Sequence, residues 1–229
     1  MAGKAGYTSR VYFNGHRISP YLNSLELGRS YETAEVSTME SIGKKYVATK
    51  SDATFSLEGW WEDTVDTIFE GVFDGTEANI SFYPNGSTKG NVGKLAKVIQ
   101  TEYSASTEQS GAVGLSVSTQ GTELCKSIVS LVQESTYTST VSTPSLDGTA
   151  SSADGGYAVI HVTDVTGTFD VIVEDSADDS SWSTLASFTS ITAIGSEILT
   201  IAGTIDRYTR ITISTAGTTI SLQAGINRG

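Results

Sequence analysis

Chemically reactive side chains are sparse in this sequence, and none stands at a spacing that catalysis or metal binding requires. His16 and His161 are its two histidines, and neither has a Cys or His at ligand spacing, so each reads as a structural strand or turn residue. Cys125 is the single cysteine; it allows no intrachain disulfide and reads as a small buried hydrophobe. The run from Gly86 to Lys94 has the outline of a phosphate cradle. However, Thr88 stands where the first P-loop glycine belongs and Leu95 replaces the Ser or Thr after the lysine, so a mobile hairpin loop is expected. Glu174, Asp175, Asp178 and Asp179 offer the hard oxygen donors that calcium takes, but their spacing fits no EF-hand, and Asp-rich hairpin tips serve turns. Trp60 and Trp61 are expected to divide their work, one covering core and the other facing a partner. With no acid and base pair to nominate, the reading is of a protein that is not an enzyme, with no cofactor and no metal.

The bulk numbers narrow the class. A chain of 229 residues suits two modest domains. Its net charge of −12, from 26 acidic and 14 basic residues with no basic cluster, argues against wrapping nucleic acid. An acidic wall still lets a polyanion slide past. The first residues lack the apolar region of a secretory signal, and no run approaches the roughly 18 apolar residues of a membrane span. Synthesis in a cytoplasm and no membrane association are the expectations.

The elements come next. Arg10–Phe13, Asn14-Gly15 and His16–Ile18 read as a β-hairpin on a type I′ turn. Tyr31 to Trp61 reads as two strands around a polar excursion, Glu40 to Tyr46, with Gly43 to turn on. Such an excursion suits a docking arm better than chemistry. Val65, Ile68, Phe69, Val72 and Phe73 form the apolar stripe of one short helix, with Asp63 as N-cap and Gly75 as its end. The stretch 122–133 fits helix and strand equally well. Composition shifts near Glu134: residues 135–152 are mostly Ser and Thr and read as a linker. Ten acidic and three basic residues, net −7, lie from Asp147 onward, against −5 before it. Six short strands are expected beyond, starting near Tyr157, Gly167, Trp182, Ser196, Tyr208 and Thr219. The expected division is therefore 1–134, a linker 135–152, and a C-terminal domain 153–229.

The order of features resembles the major tail tube protein of long-tailed bacteriophages over roughly residues 8 to 133. Val36-Ser-Thr38, the SLEGWWED strand-to-helix junction, FYPNG, and Tyr103-Ser-Ala-Ser106 before GAVGLSVS carry the resemblance. The back half resembles the β-rich appendage domains of such tails, through Val173 to Asp178, Trp182, Leu185 to Phe188, Ala202-Gly203 and Arg207 to Arg210. The resemblance implies a mainly β fold: a tail-tube β-sandwich with one flanking helix, plus a C-terminal Ig-like or jelly-roll sandwich. It implies a structural virion subunit whose hexameric rings stack into an acidic-lined conduit for DNA ejection.

Its partners would be further copies of itself and other tail proteins (tape measure, terminator and distal tail). DNA would pass without specific binding, and the C-terminal domain could meet host-surface glycans. The runner-up is an adhesin or lectin-like module, or a terminator or baseplate component of similar fold. On the tube reading Glu35, Met39, Glu40, Ile42, Gly43, Lys44, Lys45, Tyr46 and Lys50 are expected to form the inter-ring arm, and Glu102 or Glu108 is expected to look toward the lumen. The arm is expected to be mobile in the free subunit, and its charged tip to dock in a polar, salt-sensitive way.

Overall fold

The computed structural model describes residues 6–107, 109 and 111–229. Alternating apolar and polar residues give the strands β1 (Arg10–Phe13), β2 (His16–Arg17), β3 (Leu22–Glu35) and β4 (Tyr46–Trp60), then helix α1 (Asp63–Glu70). There follow β5 (Ala78–Tyr83), β6 (Val92–Ser106), β7 (Gly114–Gly121), β8 (Lys126–Tyr137), β9 (Val141–Ser142) and β10 (Leu146–Asp147). The chain closes with β11 (Gly156–Thr166), β12 (Asp170–Ser176), β13 (Ser183–Ser187), β14 (Gly195–Ile201), β15 (Tyr208–Thr215) and β16 (Thr219–Arg228). The fold is mainly β, as expected, and each of the last six strands overlaps the stretch proposed for it. The ambiguous stretch before Glu134 is strand.

Two compact units result, and they do not follow the expected boundary at residue 134. One, the sandwich unit, gathers the described residues through Ser19, Asn79–Leu95 and Lys126–Gly229; the other, the hairpin unit, holds Pro20–Ala78 and Ala96–Cys125. The separate C-terminal domain over 153–229 is therefore corrected: its strands share a unit with β1 and β5. Residues 135–152 are not a linker either. β8 pairs with β16, β9 and β10 pair with β15, and buried Thr143 exchanges backbone hydrogen bonds with Ile211. Serine and threonine look like linker by composition, yet their backbones pair as well as any, and threonine favours strands.

In the sandwich unit one sheet runs β14-β11-β16-β8-β6-β5-β1-β2, with β6 contributing its first residues, Val92–Leu95, against β8. The second sheet runs β10-β15-β12-β13. Every second residue of β12, β15, β11 and β16 points between the sheets, where Phe169, Val171, Ile211, Ile213, Leu222 and Ile226 are buried. The first sheet also curls. Asn79 Nδ2 donates to Ser196 Oγ at 3.0 Å, joining β5 to β14, and Gly15 lies so close that a Cβ there would sit 2.4 Å from the Gly195 carbonyl. Gly15 also has φ +91° and Asn14 φ 46°, the positive pair that the expected I′ turn demands. Inside the curl, on the opposite face of β11 from the sandwich core, Val159 packs with Tyr12, Tyr83, Leu95 and Ile128.

The hairpin unit is a sheet in the order β3-β4-β7-β6 with α1 on one face. Ala53, Phe55 and Leu57 of β4 and Leu115 and Val117 of β7 share that face and are buried, as are Val65 and Phe69 of the helix. The helix is shorter than its stripe. Its N-cap is Glu62 instead of Asp63 and makes no side-chain cap bond, and Gly71, not Gly75, is the C-cap. Phe73 falls beyond the last turn and is exposed.

Candidate assembly site

Helix and sheet are locked together at one carboxylate. Asp66 accepts a hydrogen bond from Trp61 Nε1 at 2.9 Å and another from the Tyr103 hydroxyl, while the Tyr103 ring lies 6.4 Å from that of Phe69. Burial, helped by the Asp66 charge, pushes the Tyr103 hydroxyl up to about 12. Trp61 thus serves the helix side, and Trp60 on the opposite face is exposed. Asp66→Ala strands both donors, so it is expected to lower stability by about 2 kcal/mol in urea unfolding, with Asp66→Asn partly rescuing it.

The other face of this sheet is polar. The pairing register runs a row Glu26, Ser56, Ser118, Glu102 across β3, β4, β7 and β6, and the next row Ser24, Glu58, Ser116, Ser104. Asp52 lies on the same face and accepts from Gln120 Nε2. The two rows hold three carboxylates, Glu26, Glu58 and Glu102, all exposed, and no Lys or Arg. Alternation along β4 hints at the polar face, but only the register brings Glu26 and Glu58 beside Glu102. Glu108 lies outside the described residues.

β3 and β4 continue past the β7 partner as a two-stranded arm. Their pairing runs through a bulge at Tyr31/Thr33 to Glu35 opposite Tyr46. The tip is closed by its own bonds: Val36 N–H to the Lys45 carbonyl (2.8 Å), Lys45 N–H to Ser37 Oγ (2.9 Å), and Ser41 N–H to the Thr38 carbonyl (2.9 Å). The reversal therefore falls on Thr38–Ser41 instead of Gly43. Lys44 Nζ pairs with Glu35 at 3.2 Å. The residues nominated for the arm sit together here, with Lys50 farther down β4, and nearly all are exposed, Ile42 included. What the sequence underweighted is the arm's apolar surface: Tyr31, Val36, Met39, Ile42, Tyr46 and Val47 are all exposed.

The other reactive residues have local duties. His161 is fully buried, 2.7 Å from Ser81 Oγ, and stacked on Tyr12 with ring centroids 5.5 Å apart. Cys125 is buried. The expected mobile loop between Gly86 and Lys94 is tied down. Ser87 is buried against the Tyr12 hydroxyl at 3.1 Å, Gly90 N–H reaches the Ser130 carbonyl, and Ser130 N–H reaches that of Asn91.

The four acidic residues diverge. Glu174 takes the Arg210 Nε at 2.7 Å, and Asp175 accepts from Ser183 and from the Asp206 N–H at 2.9 Å. Asp178 accepts the Ser180 and Ser181 N–H groups, which hold its carboxyl well below the usual range. Among the described residues no three His, Cys, Asp or Glu side chains converge on a metal position.

No protein-family model and no curated protein matches the chain. Solved structures do resemble it. A component of the virion of a native gene transfer agent particle is 13% identical with a TM-score of 0.48, over 55% of this chain and 98% of that one. The SPP1 tail tube is 12% identical with a TM-score of 0.45, over 53% of this chain and 77% of the other. The SPP1 Dit protein, from the hub adsorption apparatus of phages that infect Gram-positive hosts, is 9% identical with a TM-score of 0.39, over 96% and 99%.

No helix among the described residues is long and apolar enough to cross a membrane.

Proposed function

We propose that this chain is a structural virion protein, a tail-tube subunit whose copies form hexameric rings that stack into a conduit for DNA ejection. Its place would be the virion tail, after synthesis in the host cytoplasm. The observation that carries the reading is the two-faced sheet of the hairpin unit: one face sealed by α1, the other paved with Ser, Thr and carboxylates. Turned inward around a ring, that second face makes a wall bearing Glu26, Glu58 and Glu102 from every copy, which repels phosphate and leaves DNA free to slide. The arm reaches the neighbouring ring and fixes the stacking. Other tail proteins cap and fill such a tube. The adhesin reading has less to stand on, since a ring face of Trp182, the aromatic a sugar would stack on, carries the Arg210 guanidinium at 3.9 Å.

Electron microscopy of the purified protein tests the proposal: long hollow tubes are expected, and a protein that stays monomeric at every concentration overturns it. The bore has its own test. Tubes bearing Glu26→Lys, Glu58→Lys and Glu102→Lys together should retain DNA at low salt and release it as salt rises. The slope of log affinity on log salt should be about −0.9 per phosphate contacted. Wild-type tubes should retain none, and equal retention by both would place these residues elsewhere than the bore.

A further inference from the structure

We infer that the arm docks into a second copy of this chain as a preformed apolar plug, with Met39 and Ile42 as its anchors, and that its charges contribute little to the docking. The inference rests on the tube-subunit reading and names the chemistry by which its rings hold together.

Three observations carry it. First, Met39 and Ile42 are as exposed as side chains in an extended chain, at 107% and 108%, and they stand at the reversal of the tip. Two such large apolar groups, side by side on a hairpin tip, mark a surface that something covers. Tyr31, Val36, Tyr46 and Val47 extend the apolar surface down the arm.

Second, the arm's charges are balanced. Residues 31–50 carry Glu32, Glu35 and Glu40 against Lys44, Lys45 and Lys50, net zero, on a chain of net −12. A neutral arm approaches another acidic copy without the repulsion that the net charge of the whole chain imposes. Glu35 and Lys44 are already paired with each other, in water, where such a pair adds little.

Third, the tip is held by its own hydrogen bonds. Besides the backbone closures, Thr38 N–H donates to Ser41 Oγ at 3.0 Å and the two hydroxyls lie 3.1 Å apart. A rigid tip loses little conformational freedom on binding, so the apolar burial is not spent on ordering it.

The experiment measures the critical concentration for tube formation by sedimentation, for the full chain and two double variants, as salt is raised to about 1 M, where the screening length is about 3 Å. Circular dichroism verifies that each variant is folded. Met39→Ser with Ile42→Ser should raise the critical concentration at least about tenfold at every salt concentration. Lys44→Gln with Lys45→Gln should leave it within a few-fold of wild type. Wild-type tubes should persist at high salt and form more readily in sulfate. Tubes that dissolve as salt rises, or a lysine variant impaired as badly as the apolar one, would overturn the plug and leave the tube reading standing. Tubes formed unimpaired by a subunit lacking residues 41–45 would likewise overturn the arm's docking, whereas wild-type protein that forms no tubes at any concentration would overturn the parent reading itself.

Discussion

Subunits lacking residues 41–45 are expected to fold normally and form no tubes. The deletion removes Ile42, the Ser41 side of the tip turn, and the Lys45 carbonyl that receives the Val36 N–H. It leaves the pairing from Tyr46 onward against Glu35 and every buried residue of the hairpin unit in place. The stability of the fold is therefore untouched, because the arm from Tyr31 to Lys50 contains no buried residue. Assembly has no such reserve. On the proposed tube each inter-ring contact would repeat around the ring, so a loss at one arm would be multiplied by the ring order and the outcome would be all or none. The measurement is tube yield in electron micrographs beside a thermal melt. Tubes at wild-type yield sink the docking role, and a collapsed melt would show instead that the tip stabilises the fold.

The second large effect is a loss of stability in mild acid, centred on His161. The imidazole is buried, stacked on Tyr12, and bonded through Nε2 to Ser81. Cross-strand from it is Gln223, whose Nε2 donates to the Tyr83 hydroxyl at 2.8 Å. Burial among these neutral groups pushes the imidazole from 6.5 down to about 3. The unfolded chain takes up a proton near 6.5 and the folded chain does not until about 3. Stability is therefore complete above 6.5 and falls by about 1.4 kcal/mol for each pH unit below it.

His16 is also lowered by burial and adds in the same direction. Asp147 and Asp178 are depressed from 3.8, Asp147 to about 2 by the Arg207 guanidinium, so the stability they contribute is lost only below about 4. Between about 4.5 and 6.5 the slope belongs to the histidines. Urea midpoints across that window should fall steeply for the wild type and for His16→Gln, and flatten for His161→Gln. A wild-type midpoint flat through the window would mean that His161 is charged or exposed in the folded state.

The sequence by itself determined what is local. The period of two along Ala53, Phe55 and Leu57 dictates which face of β4 is buried, and the stripe from Val65 locates the single helix. Asn14-Gly15 specifies its turn, because few other pairs tolerate two positive φ angles. A polar stretch between two strands has no core to enter, which marks the arm and its residues Met39 and Ile42 in the sequence, while the extent of their exposure is decided by the tertiary structure.

Only the tertiary structure decided which strands are neighbours. Arg17 meets Glu134 across 117 positions and Tyr83 meets Gln223 across 140, and no local pattern carries that information. For the same reason composition placed a boundary at 134 where the chain instead threads β8 between β6 and β16. The acidic face followed the same rule: Glu26, Glu58 and Glu102 are ordinary surface residues in the sequence. Backbone register alone, set by hydrogen bonds between distant strands, sums their charges into one wall.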